Sequence, residues 1–279
     1  MIVKQEIVQL LRYLRILSVA DYGRYLLDVR RRKLENEEFT KEHPEFTVPP
    51  SALAYDAYGH TNSAVYYFSG KEQARFLSEL IRSQLDSSSL RICEWGCGPG
   101  RVIRHLPEYF PDVAIELHGA DYNRASIEWC EENLKGITFR QNQLAPPLPF
   151  KPDQFDCLYA LSVFTHLSEE MHFRWIQELS RVVTKDGLIV LTTHGDASRD
   201  KLLEREQLRF DNGELVVRGQ ITEGKRCFVA YHPVSFVREQ LLEGLTVVSH
   251  LTTGTIPGFG QDVWVVRNTK KEARPTVAS

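Results

Sequence analysis

Short apolar runs alternate with helical patterns through the middle of the chain. A run such as Leu90–Glu94 has the length and composition of a buried strand, whereas the segments between the runs repeat apolar residues at helical spacing. Alternating strands and helices predict a parallel sheet, because each helix serves as the crossover between two strands. The predicted strands are 90–94, 114–120, 137–141, 155–160 and 187–193, and the predicted helices are 101–109, 124–134 and 169–183.

The pattern changes after the fifth strand. Residues 194–231 interrupt the alternation, and the turn sequence Phe210–Glu214 predicts a small β insertion with strand candidates at 215–217 and 226–231. Only a glycine-rich loop joins the last two predicted strands of the chain, so these two must pair antiparallel. The closing elements are a helix at 234–243 and strands at 246–251 and 262–267.

Residues 1–85 precede the first strand and predict a helical extension. An apolar face and a basic face over residues 1–39 predict a helix packed on the domain or on a second subunit. Peripheral contact of this helix with an anionic membrane surface is the alternative. The apolar face comprises Ile7, Leu10, Leu11, Leu14 and Leu17, and the basic face comprises Arg12, Arg15, Arg24 and Arg30–Lys33.

The rest of the extension mixes prolines with aromatic and polar residues. Prolines 44, 49 and 50 predict an extended connection over residues 40–58. The run Ala54–Asn62 is dense in Tyr, His and Asn, a composition typical of binding loops, and it predicts a lid over the carboxyl edge of the sheet. A helix over Lys71–Leu85 is expected to follow.

Composition narrows the class of protein. The 279 residues, 42% of them hydrophobic, suffice for one α/β domain with additions, which we expect at residues 86–268, with a disordered tail at 269–279. A net charge of −3 argues against a dedicated nucleic-acid binder, and no apolar run approaches membrane-spanning length. Five scattered cysteines without a C-x-x-C pair are typical of reduced thiols in a cytoplasmic protein. The oligomeric state stays open.

The candidate chemistry centres on the loop after the first strand. Gly96, Gly98 and Gly100 alternate there, and glycine permits tight turns and close approach of a ligand to the backbone. The dinucleotide pattern G-x-G-x-x-G fails, because its third glycine position falls on Arg101. A cation is unusual near a helix N-terminus, so Arg101 is expected either beside a carboxylate or in solvent.

A second carboxylate supports a nucleoside-type ligand. Asp121 ends the second strand, 21 residues after Gly100. This is the place where a carboxylate holds ribose hydroxyls in nucleotide-binding sheets. Capping of the next helix is the alternative role, but Asn123 can cap that helix equally well.

These features together resemble the class I S-adenosylmethionine (SAM)-dependent methyltransferases. The pattern acidic-x-Gly-x-Gly-x-Gly over Glu94–Gly100 is similar to their first motif, and Asp121 follows at the matching distance. The resemblance implies an α/β fold with a Rossmann-like seven-stranded sheet and an antiparallel last strand. It also implies S-adenosyl-L-methionine as the cofactor.

Residues 147–187 resemble the small-molecule branch of this family. The phrases that carry the resemblance are Leu148-Pro149-Phe150, Phe155-Asp156, Ser162–Leu167 and Arg181–Gly187. Lys185 and Asp186 replace a proline and a glycine of the family phrase, both at turn positions. The acceptor implied is a small molecule or a glycan precursor, methylated on oxygen or nitrogen.

The resemblance also assigns expected roles to the site residues. Glu94 suits the ammonium of the cofactor's methionine end, which the loop Gly96, Gly98, Gly100 and Arg101 would also surround. Asp121 is expected on the ribose and Tyr122 on the adenine ring. The adenine amino group is expected to meet the side-chain carbonyl of Asn142 or Gln143, and the reactive methyl is expected beside Ala160 and Leu161.

Histidines are the candidates for the catalytic base. His166 lies just past the fourth strand, where the acceptor is expected, and an imidazole can remove a proton near neutral pH. Its alternatives are a cap for the helix at 169–183 or packing beneath the lid. His194, after the fifth strand, is the second candidate, ahead of His60 and His232. No residue cluster has metal-ligand spacing, so a metal-dependent mechanism is not expected.

Two other functions stay open at the level of sequence. A macromolecular methyltransferase would act on RNA or protein, but the Asn-Pro-Pro-Tyr type motif of base methylation is absent where Ala160–Val163 stands. A regulatory protein could bind SAM without chemistry, and a closed acceptor pocket would favour that function.

Overall fold

The structure is a computed structural model that describes residues 17–255 and 259–269. Within these ranges, seven strands form one sheet and two more form a separate pair. The strands are β1 (Ser89–Trp95), β2 (Ala114–Asp121), β3 (Ile137–Gln141), β4 (Phe155–Ala160), β5 (Val183–Thr193), β6 (Val216–Arg218), β7 (Val229–Tyr231), β8 (Thr246–Leu251) and β9 (Asp262–Arg267). The α-helices are α1 (Leu17–Glu42), α2 (Ser51–Tyr58), α3 (Ser63–Gln84), α4 (Arg124–Asn133), α5 (Glu169–Val182) and α6 (Glu204–Asp211).

The main sheet has the order β3-β2-β1-β4-β5-β9-β8. Strands β3 to β5 in this order are parallel, whereas β9 pairs antiparallel with both β5 and β8. The α/β fold, the seven strands and the antiparallel last strand are therefore confirmed.

The parallel strands are buried on both faces by helices. Along β1, Ile92 packs in one layer with Leu77 of α3, and Cys93 packs in the other layer with Trp175 of α5. Alternation along the strand places these neighbours on opposite faces. The strand order reverses between β1 and β4, and a crevice opens at such a switch point beyond the carboxyl ends of the strands.

The N-terminal helices differ from the predictions in two places. The extended connection predicted over residues 40–58 is wrong for α2, which begins directly after Pro50 and ends at Gly59 with φ +74°. A helix start needs no backbone N–H from a proline, so the prolines mark where α2 begins. Helix α3 begins at Ser63 and not at Lys71, because the Asn62 side chain accepts the Val65 N–H at 2.9 Å and caps the helix.

Helix α1 packs on the helices that follow it. Asp28 accepts the Thr61 N–H at 2.7 Å, and Asn36 accepts the Ser63 N–H at 2.9 Å. The predicted apolar face before Leu17, and Arg12 and Arg15 of the predicted basic face, lie outside the described residues, so membrane contact stays untested. On the described part, five apolar side chains are exposed: Val19, Tyr22, Leu26, Leu27 and Leu34.

The helix predicted over 101–109 is wrong in type. Residues Ile103–Tyr109 form a 3₁₀ helix that contains Pro107, whose ring disfavours an α-helical interior. The dipole of a long α-helix therefore does not oppose the charge of Arg101, which lies in the turn before it.

The small β insertion is confirmed, although its turn lies elsewhere. Strands β6 and β7 pair antiparallel. The turn sequence Phe210–Glu214 ends helix α6 through Gly213, whose φ is +81°, and does not join two strands. Residues 219–228 connect β6 to β7, and we call them the insertion loop. Residues 270–279, most of the predicted tail, lie outside the described residues, and no helix within the described ranges has the length and apolarity to span a membrane.

Candidate active site

A cleft of about 490 Å³ lies beyond the carboxyl ends of β1, β2, β4 and β5. Three of the predicted site residues, Glu94, Gly100 and Ala160, lie behind its wall. The other predicted residues line it: Gly96, Gly98, Arg101, Asp121, Tyr122, Asn142, Gln143, Leu161, His166 and His194. Helix α2, the insertion loop and the β8–β9 connection close its sides through Tyr58, Arg226 and Gln261.

Glu94 is tied to the protein itself. Its buried carboxylate accepts the Ile103 N–H at 3.0 Å and the Tyr159 hydroxyl at 3.1 Å. Burial raises the pKa of Glu94 to about 8, against these hydrogen bonds and the nearby charge of Arg101. Gly100 packs closely against the protein interior, where a Cβ would lie only 2.5 Å from Leu134 Cδ1. Both residues fasten the glycine loop from behind.

Gly96 and Gly98 present backbone to the cleft. Both have positive φ, +77° and +49°, which side chains rarely adopt. A Cβ on Gly96 would lie 2.3 Å from Val163 Cγ2. Helix α2 covers the loop on its other side, where a Cβ on Gly98 would lie 3.1 Å from Ala57 Cβ.

Asp121 has each carboxylate oxygen on a backbone donor and lines the cleft. Oδ2 accepts the Gly98 N–H at 2.8 Å, and Oδ1 accepts the Asn123 N–H at 2.7 Å. A carboxylate has about four lone-pair positions, so two of them are left to accept further hydrogen bonds. Burial raises the pKa of Asp121 despite these two donors. The cap of α4 is Asn123, whose Oδ1 accepts the Ala125 N–H at 3.1 Å.

Two buried polar atoms of the cleft residues lack a hydrogen-bond partner among residues 17–255 and 259–269. Asn142 donates Nδ2–H to the Gln143 carbonyl at 2.6 Å, which leaves its Oδ1 as an acceptor without a donor. Arg101 donates to Ser69 Oγ at 2.9 Å and to Gln73 Oε1 at 2.7 Å, and its Nε has no partner. Buried polar atoms are normally paired, so the two orphans point to a ligand that supplies a donor to Asn142 and an acceptor to Arg101.

The insertion loop lies across the cleft. Tyr122 donates its hydroxyl hydrogen to the Gly224 carbonyl at 3.1 Å, and Gly224 donates its N–H to the His166 carbonyl at 3.0 Å. Ser168 N–H donates to Glu223 as well. The sequence predicted a lid over this edge of the sheet at Ala54–Asn62. The insertion loop, about 160 residues later in the chain, forms part of that lid.

Backbone carbonyls at the end of the insertion loop and in β7 orient the two histidines. His166 Nδ1 lies 2.7 Å from the Phe228 carbonyl, and His194 Nδ1 lies 3.1 Å from the Ala230 carbonyl. A carbonyl oxygen can only accept, so both Nδ1 atoms carry hydrogen and both Nε2 atoms carry the lone pair. Burial lowers the pKa of His166, and lowers that of His194 to about 4, so both rings are neutral at pH 7.

Gln261 distinguishes the two histidines. Thr192 accepts the Ser162 N–H at 2.7 Å and donates to Gln261 Oε1 at 2.6 Å, which fixes the orientation of the amide. Gln261 Nε2 then donates to Ser162 Oγ at 2.8 Å and lies 3.4 Å from His194 Nε2. The lone pair of His194 therefore faces an amide donor, whereas the described hydrogen bonds of the His166 side chain engage only Nδ1.

The other two histidines have different surroundings. His232 lies in the core, where its Nε2 is 2.8 Å from His172 Nε2. His60 lines the cleft and its Nδ1 accepts the Asn62 N–H at 3.3 Å. Helix α5 begins after Ser168, and the described contacts of the His166 side chain lead to the insertion and not to that helix.

The segment that forms much of this cleft matches a known protein family. The family model described as a methyltransferase domain matches residues 92–187, which run from β1 into β5. This segment contains the glycine loop, Asp121 and the end of β4. Residues 92–187 therefore form a methyltransferase domain of the class I SAM-dependent type. This domain and the fold imply S-adenosyl-L-methionine as the cofactor, as the sequence predicted.

Individual relatives of this methyltransferase are distant. The malonyl-[acyl-carrier protein] O-methyltransferase of Bacillus anthracis is 24% identical over 159 residues, 54% of this chain and 52% of that protein. The tRNA N(3)-cytidine methyltransferase METTL2 of Gallus gallus is 23% identical over 135 residues, 46% of this chain and 35% of that protein. The chain spans about half or less of the length of these relatives.

A solved structure shares the fold of this methyltransferase. The complex between the Haloferax volcanii Trm112 methyltransferase activator and the putative methyltransferase aligns with a TM-score of 0.53 at 13% identity. The alignment covers 80% of this chain and all of that chain. At this identity the similarity concerns the fold alone.

The polar lining of the cleft fits S-adenosyl-L-methionine. The ligand's adenine amino group is a donor, as the orphaned Asn142 Oδ1 requires, and its carboxylate is an acceptor, as the orphaned Arg101 Nε requires. Its ribose hydroxyls are donors of the kind that the remaining lone pairs of Asp121 could accept. Three observed groups thus match three parts of one molecule.

Sequence reasoning missed several residues of this methyltransferase cleft. Ser162 has φ +62°, a left-handed conformation that is uncommon without glycine and often marks functional sites. Its place in the family phrase Ser162–Leu167 was the available signal. Gln261 and Thr192 carried none, because an amide in a glycine-rich loop and a threonine at a strand end are ordinary there.

Proposed function

We propose that the protein transfers a methyl group from SAM to an oxygen or nitrogen of a small molecule or a glycan precursor. The observation that carries the proposal is the shared cleft, in which two oriented, neutral histidines lie with the groups that match SAM. In this proposal, residues at the ends of β1–β3 bind the cofactor, and residues beside β4 and β5 remove the proton from the acceptor.

Several residues would hold the cofactor. Asp121 would bind the ribose, Tyr122 and Asn142 the adenine, and Arg101 the carboxylate, with the backbone of Gly96 and Gly98 along the methionine end. Glu94 would act through the loop that it fastens, since its carboxylate already accepts two internal hydrogen bonds. When bound, SAM supplies an activated methyl group, so the protein's main task is to position the acceptor in line with it.

His166 is the proposed general base. Its Nδ1–H is fixed on the Phe228 carbonyl, so Nε2 is the atom that would take the acceptor's proton. Its lowered pKa keeps that atom unprotonated at neutral pH. His194, whose Nε2 faces the Gln261 amide, would orient the acceptor together with Ser162.

The acceptor class rests on several supports. The malonyl-[acyl-carrier protein] relatives favour a small acceptor group, and the net charge of −3 counts against a bare RNA acceptor, which the tRNA-modifying relative would suggest. An open cleft of about 490 Å³ favours catalysis over a purely regulatory role. We also propose a cytoplasmic location, which is supported by five cysteines that form no disulfide, four of them buried.

Untargeted mass spectrometry tests this function. Cell extract is incubated with the protein and with SAM carrying a deuterated methyl group, and the His166→Asn variant serves as the matched control. The expected result is a small metabolite or glycan precursor that gains one labelled methyl group with the wild type and far less with the variant. Label found only in RNA or protein would overturn the small-molecule proposal. No label in any fraction would overturn the proposal that the protein is an active methyltransferase.

A further inference from the structure

A second cavity, of about 760 Å³, adjoins the cleft. Three elements enclose it: the successive helices α1 and α2, and the insertion loop much later in the chain. The described residues that line it are Ser18, Asp21, Tyr22, Tyr25, Ala52, Tyr55, Asp56, Gln220, Ile221, Thr222, Lys225, Arg226 and Cys227. Its volume lies within the range of cavities that hold drug-sized molecules.

Three tyrosine rings form one continuous wall of this cavity. The ring centroids of Tyr22 and Tyr25 are 5.9 Å apart, and those of Tyr25 and Tyr55 are 5.2 Å apart. The rings are tilted by 38° and 57°, so the wall offers both faces and edges to a neighbour. Tyr22 keeps 61% of its surface exposed, so its ring is accessible from the cavity side. This arrangement suits a planar ring.

The charged residues of the cavity are paired with one another. Arg226 forms an ion pair with Asp21 and stacks over the Tyr55 ring at 4.7 Å. Lys225 lies 3.4 Å from Asp56. An ionised ligand would have to break one of these pairs, so the cavity favours a neutral one.

The cavity and the cleft share part of their walls. Asp56 and Arg226 line both spaces, and Asp56 also accepts a hydrogen bond from Asn123, two residues after the proposed ribose-binding residue Asp121. An acceptor whose body occupies the cavity and whose end passes Arg226 would enter the cleft, which His166 also lines.

We propose that this cavity binds the non-reacting body of the methyl acceptor, and that this body carries a neutral aromatic ring seated against Tyr22, Tyr25 and Tyr55. The inference rests on the proposed function, which supplies the reacting end of the same molecule. It narrows the acceptor to a hydroxyl or amine joined to an aromatic ring system, and it assigns the N-terminal helices a role in acceptor selection.

The test uses 2-naphthol, a neutral bicyclic ring with one hydroxyl group, as the probe. Its binding to the full-length protein saturated with S-adenosylhomocysteine is followed by ligand-observed NMR. The expected dissociation constant is on the order of 1 mM or tighter, as a ligand of this size can reach. Ala52→Trp fills the cavity and should weaken binding at least about tenfold, and Tyr25→Ala should weaken it by about 2- to 10-fold, through loss of one aromatic contact.

Two controls separate the possible failures. Val248→Trp adds the same side chain on β8, outside both spaces, and should leave 2-naphthol binding unchanged. All variants should bind S-adenosylhomocysteine like the wild type, which also shows that they fold. Wild-type protein that does not bind 2-naphthol, or Ala52→Trp that binds it undiminished, would overturn the inference and leave the methyltransferase intact. Failure of S-adenosylhomocysteine to bind the wild type would instead count against the proposed function.

Discussion

Gly98 donates its backbone N–H to Oδ2 of Asp121 at 2.8 Å, across the carboxyl ends of β1 and β2. The carboxylate proposed to hold the ribose therefore also holds the glycine loop in place. Cofactor recognition and loop geometry share one side chain, so a change at position 121 acts on both.

Asp121→Ala should weaken SAM binding by about 1.5–3 kcal/mol, the range for hydrogen bonds to a charged group. Calorimetric titration measures the affinity, and thermal unfolding checks the fold. Asp112→Ala is the matched control, because that carboxylate lies on the surface in an ion pair with Arg82 and should leave the affinity unchanged. A folded Asp121→Ala protein with wild-type affinity would limit Asp121 to bracing the loop.

Asn142→Ala should weaken SAM binding by about 0.5–1.5 kcal/mol, the typical value of one neutral hydrogen bond. The free energy of unfolding without ligand should fall as well, because the change also removes the Asn142 Nδ2–H hydrogen bond to the Gln143 carbonyl, so the loss of affinity is the extra loss of stability seen only with SAM. Urea unfolding with and without SAM measures both quantities. Gln143→Ala should have the smaller effect on affinity, and the opposite ranking would move the adenine contact to Gln143.

His166→Asn should lower the rate of methyl transfer by about 10²–10⁴-fold and leave SAM affinity nearly intact, as expected for loss of a general base. His194→Asn should cost less, because the His194 lone pair already faces Gln261. The rates are measured with the acceptor found by mass spectrometry. Equal rates for wild type and folded His166→Asn would remove His166 from the mechanism.

The pH dependence follows from the direction of the His166 shift. Because burial lowers its pKa below the usual 6.5, the ring stays unprotonated at neutral pH and gains a proton only in acid. The wild-type rate should therefore be flat around pH 7 and fall on the acid side below 6.5. A fall in rate that begins above pH 7 would contradict a lowered pKa for His166.

Glu94→Gln tests the buried carboxyl behind the glycine loop. With a pKa of about 8 in the folded protein and 4.5 unfolded, Glu94 binds a proton only in the native state between these values. Its contribution to stability is full below pH 4.5 and is lost as the pH rises through 8, by at most about 1.4 kcal/mol per pH unit. The stability of Glu94→Gln relative to wild type should rise from pH 5 to pH 8, as measured by urea unfolding. No trend would mean that Glu94 is ionised throughout.

The sequence predicted the sheet because its signals are local. Each signal lies within a segment of about 30 residues. The signals are the apolar runs, the alternating glycines and the carboxylate after the second strand, and the structure has the strands they predict as β1 and β2. The placements that failed involve prolines and capping residues. Pro50 can end an extended segment or precede a helix start, and only the packing of Ala54 and Tyr55 in the fold decides between the two.

The acceptor side of the cleft could not be predicted in the same way. His166 was a candidate from its position, but the atom that sets its tautomer is the backbone carbonyl of Phe228 in the insertion loop, more than 60 residues later. Backbone carbonyls leave no mark in a sequence. Gln261 and the tyrosines of α1 and α2 likewise reach the site only through the tertiary fold.

Calorimetric titration of the purified wild-type protein with SAM, and separately with NAD, tests the central claim most directly. The account predicts binding of one SAM per chain with micromolar affinity and no heat with NAD, because the cleft offers Asn142, Asp121 and Arg101 to the three polar parts of SAM. Binding of NAD without any binding of SAM would contradict it.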